Sequence, residues 1–149
     1  MIHIHRSTTR VSRPISEVFM FFSNAANLEA ITPPELKFRI LTPSPIPMHD
    51  GTRIDYELRL MGIPFRWETL ISTWDPPHRF VDEQLKGPYR TWIHTHTFST
   101  DEGGGTVIED EVRWALPLFP FGQVAYPFVS RQVRKIFQHR DATIRAMFG

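Results

Sequence analysis

The sequence predicts an α+β fold: a curved seven-stranded antiparallel sheet with two short helices after the first strand and a long C-terminal helix. Three observations carry that expectation. Apolar residues alternate with period two for about eighty residues after Pro34. The alternation is cut by short Pro-, Gly- and Asp-rich connections that suit hairpins and are too short for parallel crossovers. A single stretch with 3.6-residue periodicity closes the chain. At 149 residues the chain is expected to form one domain over 1–149, a size that buries roughly 68–70% of the unfolded surface.

Residues 2 to 11 read as the first strand, with Ile2 and Ile4 as its apolar parity, which turns His3 and His5 outward. Ser12 is the expected N-cap of the first helix, ahead of Pro14, Glu17, Val18, Phe19 and Phe22. Asn24 caps a second short helix that Thr32, Pro33 and Pro34 must end. Strands follow at Glu35 to Leu41, Thr52 to Met61, Phe65 to Trp74, Arg79 to Leu85, Arg90 to Ser99 and Thr106 to Leu116. The last helix runs from about Gln123 to Phe148, with Ala125, Val129, Val133, Ile136, Phe137, Ile144, Met147 and Phe148 on one face and Pro127 at its start. Its opposite face carries Arg131, Arg134, Lys135 and Arg145, the pattern of a solvated surface. At 1.5 Å per residue such a helix is about 39 Å long, enough to cross a curved sheet and enclose a space against it.

Composition narrows the function. Net charge is +1 with a pI near 8.2, so no overall field argues for nucleic acid. The chain has no cysteine, which removes thiol nucleophiles, thiolate metal sites and disulfides. The first ten residues alternate and form no signal-peptide core, and the longest apolar run, Val18 to Phe22, is far too short to span a bilayer. A cytoplasmic protein without stable membrane insertion is the expectation. Twelve Phe and four Trp suit a thick core or the lining of an apolar cavity.

Strand parity points Tyr56, Trp67, Trp92, His94, His96, Phe98, Asp110 and Trp114 toward the helix. The inward surface is therefore aromatic with a few polar interruptions. Asp82 or Glu83 adds another, because F-V-D-E-Q is apolar at two successive positions and leaves parity open. Arg140 falls in the middle of the helix's apolar face and needs a carboxylate, with Asp110 the best partner and Asp82 or Glu83 the alternatives. His94 and His96 stand two apart on one strand, about 6.6 Å between backbones, and are candidates for acid/base work or for ligand contact. They lack a third partner of recognisable metal spacing, so no metal and no cofactor is expected.

The segments V-S-R-P-I-S-E-V-F-M-F-F at 11–22, W-D-P-P-H-R-F-V-D-E-Q-L-K-G-P-Y-R-T-W-I-H-T-H-T-F at 74–98, G-G-T-V-I-E-D-E-V at 104–112 and K-I-F-Q-H-R at 135–140 resemble the START and Bet v 1-like (SRPBCC) superfamily, in a bacterial ligand-binding branch. The resemblance covers essentially the whole chain. It implies the helix-grip fold and places any ligand between sheet and long helix. Two functions compete on that footing. One is binding of a small hydrophobic molecule, a lipid, polyketide or aromatic-like compound, with Tyr56, Trp67, Trp92, His94, His96, Phe98, Asp110, Trp114 and Arg140 around it. The other is a polyketide cyclase or dehydratase using His94 or His96 as acid/base. A third reading makes the basic helix face or the L-P-L-F-P-F segment a contact surface for a partner.

Overall fold

The computed structural model describes residues 1–149. Its elements run β1 (His3–Val11), α1 (Ile15–Phe22), 3-10 helices at Ala25–Ile31 and Pro34–Leu36, β2 (Arg39–Ile40), β3 (Arg53–Leu60), β4 (Ile63–Asp75), β5 (Arg79–Lys86), β6 (Thr91–Thr100), β7 (Thr106–Ala115), a 3-10 turn at Phe121–Ala125, and α2 (Tyr126–Phe148). One sheet holds all seven strands in the order β1-β7-β6-β5-β4-β3-β2, every neighbouring pair antiparallel. The six strands after α1 form a meander, and β1 closes on β7. No helix is long and apolar enough to cross a membrane.

Several expectations change in detail. Glu35 to Leu41 is mostly not strand: Pro34 starts a 3-10 turn, Lys37 takes a left-handed φ of 47°, and only Arg39–Ile40 pairs with β3. The prolines and the left-handed residue interrupt a ladder that hydrophobic alternation alone favoured. Ser12 does not cap α1; Pro14 occupies that position, and Ser12 bonds the Phe148 carbonyl through both its N–H and its hydroxyl, tying the two ends of the fold together. Asn24 does cap the following helix, its side chain accepting from the Ala26 N–H.

The parity of β1 is the reverse of the expected one. Ile2 and Ile4 are exposed, while His3 stacks on Tyr126 and lies tilted against Trp114 at 4.6 Å, and His5 lies 4.9 Å from Phe137. Pairing of His3 with Trp114, His5 with Val112 and Val11 with Thr106 fixes this choice. Thr9 and Val11, both buried, set the inward phase from the other end of the strand. The last helix starts at Tyr126 rather than Gln123, so Ala125 falls in the 3-10 turn before it, and both Ala125 and Met147 are exposed rather than part of the buried face.

Two apolar clusters fill the space between sheet and helix. One gathers Trp67, Tyr89, Val112 and Trp114 under Val129, Val133 and Phe137. The other packs Phe19, Phe22, Phe80, Phe98 and Ile108 against Ile144. Between them, on the same helix face, lie Arg140 and Asp141.

Candidate functional site

A belt of polar side chains crosses the interior where the two clusters meet. Each member is delivered by strand alternation or helical spacing: Asp82 from β5, His94 and His96 from β6, Asp110 from β7, and Arg140 from α2. The register pairs Asp82 with His94 and His96 with Asp110 on adjacent strands. Antiparallel neighbours on one face lie close enough to interact, so four polar groups converge before α2 adds the fifth.

Arg140 sets the protonation of its partners. Its Nη2–H donates to His96 Nδ1 at 3.1 Å, which makes that nitrogen an acceptor. His96 must then carry its proton on Nε2, where it donates to Asp82 Oδ2 at 2.6 Å. A second proton on His96 would face the guanidinium. Burial, then the neighbouring His94 and Arg140, accordingly drive the His96 pKa well below its ordinary 6.5, against the opposing pull of Asp110. His96 is a neutral imidazole with both nitrogens committed, sandwiched between Phe80 and His94 at ring separations of 3.8 and 3.6 Å.

His94 differs. Its Nε2–H donates to Asp110 Oδ1 at 2.7 Å, while Nδ1 has no hydrogen bond, its nearest carboxylate oxygen being that of Asp82 at 3.7 Å. Burial raises the Asp110 carboxyl, but Arg140, the His94 hydrogen bond and both imidazoles outweigh it and hold Asp110 well below the usual carboxylate range. Asp82 goes the other way: burial lifts it above 3.8, and His94 and Arg140 only partly offset the lift. The belt thus pairs a firmly ionised carboxylate behind the histidines with a more easily protonated one beside them. Arg140 Nη2 lies 3.6 Å from Asp110, so Asp110 is the carboxylate that balances it, and its guanidinium also sits over the Phe22 and Phe137 rings.

On one side of this belt is a cavity of about 140 Å³. Of its 24 lining residues 18 are hydrophobic, and its polar members include Asp82, His94, His96, Arg140 and Thr69. Tyr56, Trp67 and Trp92 also line it. The Tyr56 hydroxyl is bonded to Thr69, and burial pushes its pKa up, with Asp82 adding to the rise. The Trp67 Nε1–H is buried without a partner. Three of the residues singled out in the sequence lie elsewhere: Asp110 stands behind His94, Phe98 belongs to the α1-side cluster, and Trp114 packs on Tyr89, Tyr126 and His3. Sequence reasoning missed Phe22, Phe80 and Phe137 as walls and left Asp82 undecided. Alternation inward from Phe80, which is buried, is the signal that would have placed Asp82.

Asp82, His94 and His96 are also the residues able to hold a cation, with ligand atoms within 4.8 Å of one another. Asp82 is the third group that the sequence spacing did not supply. A cation there would break the His96–Asp82 bond and lie beside the Arg140 guanidinium, so the charge arrangement favours the hydrogen-bonded belt.

A family model described as a domain of unknown function, DUF8410, matches residues 40–148. No curated protein matches the sequence. Among solved structures, the Zhui aromatase/cyclase from Streptomyces sp. R1128 is similar over 99% of this chain and 93% of its own, with a TM-score of 0.79 and 13% identity. The protein TTHA0849 from Thermus thermophilus is similar over 97% of this chain and 99% of its own, with a TM-score of 0.74 and 17% identity. A START superfamily protein from Mycobacterium smegmatis is similar over 98% and 97%, with a TM-score of 0.71 and 13% identity.

Proposed function

This chain belongs to the family described as a domain of unknown function (DUF8410) and has the START/Bet v 1-like helix-grip fold, and from that premise we propose that it binds a small hydrophobic molecule between the sheet and α2. The observation that carries this reading is the cavity, apolar over most of its wall and polar at one end. Aromatic walls at Trp67, Trp92 and Tyr56 supply contact area, and the belt offers groups that orient a ligand. The Trp67 Nε1–H and the Arg140 Nε–H are donors left without a protein hydrogen bond among the lining residues, and His94 Nδ1 is an acceptor without one. A ligand that fits is compact, of one or two rings or a short acyl chain, and carries an oxygen able to accept from Trp67 or a hydroxyl able to donate to His94. Native mass spectrometry of the purified protein incubated with such compounds tests the reading. Retention of ring-hydroxylated compounds over their plain hydrocarbon counterparts is expected, and failure to retain any compound of this class contradicts it.

One observation favours a second reading, an acid/base enzyme. His94 is held by Asp110 on one nitrogen and open on the other, the arrangement of an imidazole positioned to take a proton from a bound hydroxyl or an acidic C–H. His96, with both nitrogens engaged, is not available for that step. The Zhui protein is an aromatase/cyclase by its description, which makes cyclisation or dehydration of a polyketide-like substrate the activity to assay. Under this reading His94→Ala abolishes turnover while substrate binding survives, and equal turnover in the variant rules it out.

A further inference from the structure

The most exposed apolar surface lies outside the cavity. Leu118, Phe119, Phe121, Val124, Tyr126 and Phe128 all stand exposed within one short stretch, the L-P-L-F-P-F turn and the start of α2. Phe121, Val124, Phe128, Arg131 and Lys135 recur at i, i+3, i+7, i+10 and i+14, so the 3-10 turn and α2 carry them as one stripe. The first three are 79%, 80% and 66% exposed. A surface helix normally hides such a stripe; this one faces outward.

The stripe continues onto the sheet. Phe128, Arg131 and Lys135 share a surface groove with Arg59 and Met61 at the end of β3. Met61, at the β3–β4 turn, and Leu118 are both exposed and both held at left-handed φ, 51° and 59°.

Charge selects the partner. The chain carries 16 Asp and Glu, yet none lies between Glu111 and Asp141, the span in which α2 presents Arg131, Arg134 and Lys135 on its outer face, while Arg140 is buried against Asp110 and Arg113 is paired with Glu111. Glu35 is the one acid in the groove. Two copies docked through this surface would bring their basic residues together with only Glu35 to offset them. A bilayer with anionic headgroups offers apolar chains and phosphates in the order the stripe presents Phe and then Arg and Lys. Large apolar side chains on one face with Arg and Lys beside them are the pattern by which an amphipathic segment enters the headgroup and acyl boundary.

We propose that the 118–128 segment, the basic start of α2 and the β3–β4 turn form a docking surface for an anionic lipid bilayer. Phe121, Val124, Phe128 and Met61 enter the interface, and Arg59, Arg131 and Lys135 meet the phosphates. Leu36 and Ile136 border both this groove and the internal cavity, so docking sets the bilayer against a wall that the two share. The docking itself requires no cavity ligand.

Co-sedimentation of the full chain with vesicles of phosphatidylcholine, with and without one-third phosphatidylglycerol, tests the proposal. The protein is expected to pellet with the mixed vesicles at low salt and to be released in 1 M salt, where the screening length falls to about 3 Å. Phe121→Ser and Phe128→Ser, at exposed positions, are expected to keep the melting temperature and lower the partition coefficient about tenfold each. Arg131→Ser and Lys135→Ser lower it roughly fivefold each. Wild-type protein that stays in solution with the mixed vesicles, or phenylalanine variants that pellet like wild type, overturns the proposal. So does a concentration-dependent dimer, abolished by the phenylalanine variants, without vesicle binding; the occupant is then a second copy.

Discussion

Arg140 on α2 donates to His96 on β6 across 3.1 Å, and this contact fixes the imidazole tautomer that the rest of the belt depends on. The guanidinium is only 7% exposed and is balanced by Asp110, 3% exposed, at 3.6 Å. Replacing Arg140 by Met leaves Asp110 ionised and without its cation in the interior. A loss of about 3–5 kcal/mol in unfolding free energy is expected from urea titration. The double variant Arg140→Met, Asp110→Asn is expected to recover a large part of that loss, because the stranded charge goes with its partner.

The depressed pKa of His96 has a definite consequence for stability. Just below pH 6.5 the unfolded chain binds a proton at this position and the folded chain does not, so stability rises with pH through that window and is complete above it. One such group contributes a slope of at most about 1.4 kcal/mol per pH unit. His5, whose pKa burial also lowers, acts in the same sense. Asp82 opposes them from pH 3.8 upward, because its folded pKa is raised. Asp110, held low, contributes stability that is full above its ordinary 3.8 and is lost progressively as pH falls below that value, outside the window in which His96 acts. Unfolding midpoints in urea between pH 5 and 7 should therefore rise more steeply for wild type than for His96→Asn, which retains a donor and an acceptor but does not titrate.

Trp67 separates the binding role from the packing role. Its Nε1–H is buried with no acceptor, so Trp67→Phe removes an unsatisfied donor and is expected to change stability little. Affinity for an oxygen-bearing ligand should fall by roughly threefold to tenfold, the worth of one neutral hydrogen bond of about 0.5–1.5 kcal/mol, while affinity for the corresponding hydrocarbon stays within twofold. Calorimetric titration of both compounds against both proteins reads this difference.

Phe98 provides the converse case. It is 2% exposed and packed edge-on against Phe19 within the α1-side cluster, away from the cavity wall. Phe98→Ala should cost about 3–5 kcal/mol in thermal or urea unfolding. Ligand affinity measured well below the variant's melting point should stay close to wild type.

The parts of this architecture that were legible in the sequence are those where one physical rule acted alone. In β3, β4, β6 and β7, alternation named the inward residues, including all four of Trp92, His94, His96 and Phe98, because one face of each strand packs on α2. Helical spacing placed Arg140 inward, where it lies. The rule failed where two apolar parities competed. In β1, Ile2 and Ile4 outbid His3 and His5 on hydrophobicity, yet the pairing with β7 turned the histidines in against Trp114 and Phe137. In β5, Phe80 and Val81 are both apolar, and the register shifts between β4 and β5 hid which phase Asp82 follows. The walls supplied by α1 and α2, such as Phe22 and Phe137, depend on how helices dock on the sheet, which local periodicity does not encode. The L-P-L-F-P-F segment, which ends at Phe121, was legible as a possible contact surface, but its continuation through Val124 and Phe128 was not, since it depends on how the turn and helix leave the sheet.

A compact apolar ligand in the space beside the belt should be displaced by filling that space from the cavity wall. Calorimetric titration of 2-naphthol into wild type and into Leu28→Trp, which enlarges a half-buried side chain lining the cavity, tests it most directly. Saturable one-to-one binding to wild type is expected, with a loss of at least tenfold in the filled variant and its fold intact by circular dichroism. Binding that is absent in wild type, or equal in the two proteins, contradicts it.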